Sequence, residues 1–69
     1  MVTVDSAEVA TDIAVTFIKK YKQLAIPLAA HREEDLWVVT LDVGALIVKI
    51  ATVRIEAATG TIKDYKVPP

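Results

Sequence analysis

Few side chains in this chain could act on a substrate, and their types limit any catalytic reading. His31 is the one histidine, Ser6 the one serine, and there is no cysteine. A single imidazole cannot form a histidine pair around a metal, and Ser6 has no base at a recognisable spacing to activate it. Glu33, Glu34 and Asp35 are adjacent carboxylates that could gather a divalent cation. They lack the alternating spacing and central glycine of a calcium loop, so a solvated turn is the plainer reading. Gly44 and Gly60 are isolated and cradle no phosphate. The expectation is a protein that is not an enzyme and has no catalytic residue, no cofactor and no metal.

Binding remains. Trp37 and Tyr65 are of the types most used as anchors at interfaces. Trp37, at the start of an apolar strand, is expected to pack beneath a helix. Tyr65, near the end of the chain, is expected to direct its hydroxyl to water or a partner.

The elements that must position these residues follow from periodicity. After a short extended leader over residues 1–4, Asp5 followed by Glu8 resembles a capping box, with Val4 and Val9 at staple spacing. A helix is expected over residues 6–22, its apolar face formed by Ala7, Val9, Ala10, Ile13, Ala14, Phe17, Ile18 and Tyr21. Strands are expected over 26–30, 36–43, 45–57 and 61–67. Pro27 places the first of these at an edge. His31 to Asp35 reads as a turn, as do Val43 to Ala45 and Ala58 to Gly60, and Pro68 and Pro69 end the chain. The fold class is α+β: one small domain over residues 1–69, with an N-terminal helix packed on one face of a three- to four-stranded antiparallel meander.

At 69 residues and without cysteine, such a domain has no disulfide to help a small core. An apolar share of 54% leans toward association. Eight basic residues stand against nine acidic ones and are scattered, so nucleic acid is not an expected partner. No apolar run is long enough to span a membrane, and no signal peptide is read at the start. The chain reads as cytoplasmic as it stands, and as extracytoplasmic if a signal or anchor has been removed.

One helix can cover one sheet face, assigned to Trp37, Val39 and Leu41. Leu36 and Val38 then point the other way, and Leu46, Ile47, Val48 and Ile50 form a run that is apolar on both faces. A homodimer joined through the uncovered sheet face is therefore expected, its interface drawn from Leu36, Val38, Leu46, Val48, Ile50 and Tyr65.

Three stretches carry a family resemblance: SAEVATDIAVTFIKKY, the tryptophan of DLWVVTL, and VRIEAATGTI with its strand, acidic residue, Thr-Gly turn and following strand. Together they resemble the PepSY family of small domains, and Trp37, Glu56, Thr59, Gly60 and Ile62 are the matching positions. Glu56 stands where an aspartate is more usual. The resemblance implies a non-enzymatic protein-binding module that regulates a peptidase or an envelope protein.

Overall fold

The computed structural model describes residues 4–68. Ser6 opens the first element: its extended backbone lets the side-chain oxygen accept the N–H of Val9 at 3.2 Å, satisfying one of the orphan donors of α1 (Ala7–Ile18). The cap is Ser6, not Asp5, and Glu8 lies in the first turn, where the helix dipole favours it. α1 also stops four residues short of the expected end. The N–H groups of Tyr21 and Lys22 both turn back onto the carbonyl of Ile18, so the chain leaves as a tight turn and Tyr21 is exposed.

Four strands follow: β1 (Ile26–Glu33), β2 (Leu36–Asp42), β3 (Ile50–Glu56) and β4 (Ile62–Lys66). They pair antiparallel in chain order, a meander with α1 against one face. This is the expected α+β class with four strands. The register puts Trp37, Val39 and Leu41 beside Ile55, Val53 and Ala51, on the face that α1 covers. Ala10, Ala14 and Ile18 close over them, and all three are fully buried. The small alanines let the helix backbone approach the sheet, while Ile18, Leu41, Ile55, Val39 and Val53 fill the space between.

The strands differ from the sequence reading in bounds and regularity. β1 runs on to Glu33, so His31 stands in a strand opposite Val38 and the turn shrinks to Glu34 and Asp35. Glu34 takes φ 53°, the left-handed region that few residues other than glycine enter, and its carbonyl accepts the Arg32 guanidinium at 2.6 Å. β1 also carries a bulge between Pro27 and Ala29, as suits an edge strand with a proline. The largest difference concerns the strand expected over 45–57. It begins only at Ile50, and residues 43–49 form a loop.

Of the leader expected over residues 1–4, all but Val4 lies outside the described residues, as does Pro69. Val4 is buried, its N–H donates to the Ala57 carbonyl at 2.7 Å, and its own carbonyl receives the Trp37 indole N–H at 2.9 Å. Trp37 thus ties the chain before α1 to the sheet. Replacing it by Phe keeps much of the packing but leaves that carbonyl without its donor, and should lower unfolding free energy by ~1–2 kcal/mol, read from denaturant melts.

Candidate functional site

Each end of the sheet has its own chemistry. One end is the row Glu33, Leu36 and Glu56; the other is the row Ile26, Asp42 and Ile50. Glu33, Glu34, Asp35 and Glu56 gather at the first, with Lys63 beside them. Asp5 and Glu8 lie nearby, because Val4 is pinned to Ala57 just before α1 starts. Among the described residues no group of three or more metal-ligating side chains is placed to hold an ion.

The second end holds loop 43–49. The Asp42 carboxylate organises it, one oxygen accepting the N–H of Gly44 at 3.0 Å and that of Lys49 at 3.2 Å. The Val43 N–H closes the neck on the Lys49 carbonyl at 2.9 Å. Inside the loop the Ile47 carbonyl turns in toward Gly44 so closely that a Cβ there would lie 1.7 Å from the oxygen. Only glycine permits that approach. Around this closed neck the loop turns its side chains out: Leu46 is 98% exposed, Ile47 68% and Val48 70%. Ile26, Leu28 and Ile50 add exposed apolar surface at the same end. Lys22 joins Val43, Ala45, Leu46 and Ile47 around an open groove of about 440 Å³.

The residues expected to form one interface are thereby separated. Leu46 and Val48 sit in the loop and not on the sheet. Tyr65 lies on the helix side, its ring edge-on to Phe17 with centroids 4.8 Å apart, and Phe17 packs in turn against Tyr21 at 5.4 Å. Leu36 and Val38 do face away from the helix, but Leu36 pairs with Glu33 and Glu56, and Val38 with His31 and Arg54. Val38 is already buried there. Only Ile50 remains beside the loop.

The open face is polar at its centre. Arg54 grips Asp64 through both its Nε, at 2.7 Å, and a terminal nitrogen. These hydrogen bonds hold the Asp64 carboxyl below the usual carboxylate range. A depressed folded pKa gives stability that is complete above the ordinary aspartate range near ~4 and fades as pH falls through it. The melting temperature of Asp64→Asn should therefore lie slightly below that of the parent at neutral pH, with the gap closing in acid. A gap that widened in acid would contradict the assignment.

Of the residues that carry the PepSY resemblance, Glu56, Thr59 and Gly60 close a turn. The Gly60 N–H bonds the Glu56 carbonyl at 2.8 Å, the Glu56 N–H bonds the Thr61 carbonyl at 2.8 Å, and the Thr59 hydroxyl reaches the Glu56 carboxylate at 3.3 Å while taking the Thr61 N–H at 3.2 Å. Gly60 has φ 76°, as a turn between strands favours, and Ile62 packs against the core. Gly60→Val should cost on the order of 1–2 kcal/mol, measured by thermal or urea unfolding. No family model, curated protein or solved structure matches the chain.

Sequence reasoning missed Asp42, Gly44, Lys22 and Ile47 as members of one site. The Asp-x-Gly spacing at 42–44 was the available signal, since an aspartate that caps amides two residues on is a turn former.

Proposed function

We propose that this chain is a non-enzymatic binding module whose docking element is the apolar loop 43–49. The observation that carries the reading is the display of Leu46, Ile47 and Val48 to solvent by a loop whose two ends are tied together by hydrogen bonds through Asp42 and between Val43 and Lys49. Side chains of this kind lose free energy by standing in water, and a contiguous exposed apolar patch marks a contact surface. The resemblance to PepSY domains supports a regulatory role toward a peptidase or an envelope protein. A homodimer through the sheet has less support, because Glu33, Glu56, His31 and Arg54 flank Leu36 and Val38 and would have to be desolvated with them.

A photo-crosslinking amino acid placed at Leu46, in cells that express the protein natively, tests the docking. Adducts should form at Leu46, weaken when Ile47→Ser is added, and be absent when the crosslinker is placed at Lys63 on the opposite end. An adduct-free Leu46, or equal yields at both positions, would overturn the reading.

A further inference from the structure

The geometry points to an anionic lipid bilayer as the surface on which loop 43–49 docks, an assignment that rests on the docking reading above. Two observations select it. The first is the asymmetry of charge along the sheet. Counting from the sequence, Lys19, Lys22 and Lys66 belong to the loop end, beside Lys49 and the single acid Asp42, whose carboxylate is turned onto backbone amides, while Lys20 borders a second groove with Asp12 and Gly60. Lys19, Lys20 and Lys22 lie in the turn by which α1 hands the chain toward Ile26, and Lys66 lies opposite Thr52 near the start of β3. The other end carries Asp5, Glu8, Glu33, Glu34, Asp35 and Glu56 against Arg32 and Lys63. A chain of net charge −1 is thus basic where it is apolar and acidic where it is not.

The second observation is the shape of the apolar part. Leu46 at 98% exposure stands clear of its own protein, with Ile47 and Val48 beside it and Lys22 on the rim of the groove below. Its occupant must offer an apolar interior under a negatively charged rim. A second copy fits poorly: loop against loop brings lysines onto lysines, and the acidic end has little apolar floor beyond the half-buried Leu36 and the small Ala58. A bilayer with anionic headgroups supplies both features, the acyl boundary receiving the three side chains and the headgroups meeting the lysines. No described helix is long and apolar enough to cross a membrane, so the contact is one of docking at the surface. Seated this way, the acidic end points away from the membrane, where like charge would repel it.

The test is co-sedimentation of the intact protein with vesicles of phosphatidylcholine alone and of phosphatidylcholine with phosphatidylglycerol. Each lysine near an anionic surface contributes about fivefold, so with Lys19, Lys22 and Lys66 engaged binding to the mixed vesicles should exceed that to neutral ones by about a hundredfold at low salt and fall as salt is added. Leu46→Ser with Ile47→Ser should weaken it by about tenfold. Lys19→Gln, Lys22→Gln and Lys66→Gln together should bring it near the neutral-vesicle level. Lys63→Gln, at the far end, should change nothing. All of these positions are exposed or in the loop, and circular dichroism of each variant checks that the fold persists. Equal binding to both vesicle types, or equal losses from Lys63→Gln and the loop-end lysines, would overturn the lipid assignment. So would vesicles that bind nothing while a crosslinker at Leu46 captures a protein; that outcome leaves the docking reading standing. No vesicle binding together with no adduct at Leu46 overturns both.

Discussion

Leu41→Ala should remove about 3 kcal/mol of unfolding free energy or more, whereas Leu46→Ala should leave stability unchanged within about 0.5 kcal/mol. The two substitutions delete the same atoms. Leu41 is fully buried on β2, on the face that α1 covers, in one cluster with Ile18, Val53 and Ile55. Deleting its side chain loses the transfer term and leaves a cavity that the close-packed helix and sheet can only partly refill. Leu46 is 98% exposed, so its removal takes almost nothing out of the native interior. A domain of this size holds roughly 3–10 kcal/mol in total, so Leu41→Ala should move the urea midpoint by ~2 M or leave no folded baseline at all. Similar midpoints for the two variants would mean that Leu46 packs in a way that the loop geometry does not allow.

That contrast marks where the sequence was legible. Val39 and Leu41 alternate with Val38 and Thr40 at period 2, and Ala10, Ala14 and Ile18 recur at helical spacing, so the core could be read from pattern alone. The loop could not. Ile47, Val48 and Ile50 are β-formers in a segment, Ala45 to Ile50, that is apolar except at Lys49, and local propensity extends the strand through them. The structure departs because of two residues outside that run. Asp42 offers the Gly44 and Lys49 N–H groups an acceptor that competes with a ladder, and Gly44 accepts a carbonyl where any side chain would collide. Both effects are contacts between positions several residues apart, which a period cannot register. The early end of α1 has a similar cause, since nothing in Lys19 to Lys22 forbids helix, yet the N–H groups of Tyr21 and Lys22 both bond the Ile18 carbonyl. The residues of the expected interface lie apart for the same reason that the strand is short. Once residues 43–49 leave the ladder, Leu46 and Val48 leave the sheet with them.

Gly44→Ala should undo the loop while sparing the fold. A methyl group at this position would stand 1.7 Å from the Ile47 carbonyl oxygen, 2.9 Å from its carbon and 3.0 Å from the Lys49 nitrogen, all backbone atoms that cannot rotate aside. Relief requires the chain from Ile47 to Lys49 to move away, which pulls Lys49 N–H off Asp42. Strain and lost hydrogen bonding together should cost about 1–3 kcal/mol, the upper part only if the loop fails to find another path. Asp42→Ala makes a milder comparison, because it removes the acceptor without introducing a clash and leaves two amides that water can reach. Hydrogen exchange separates the two effects: the amides of Gly44 and Lys49 should lose protection in both variants, while those of Val39 and Val53 keep theirs. Docking should also suffer, since a loop that must be ordered on contact binds more weakly than one ordered beforehand. Crosslinking from Leu46 in the Gly44→Ala background should therefore drop by about tenfold although every apolar side chain is still present. If Gly44→Ala leaves both the exchange pattern and the crosslinking yield as they were, the close approach of Ile47 does not hold the loop, and the display of Leu46, Ile47 and Val48 has another cause.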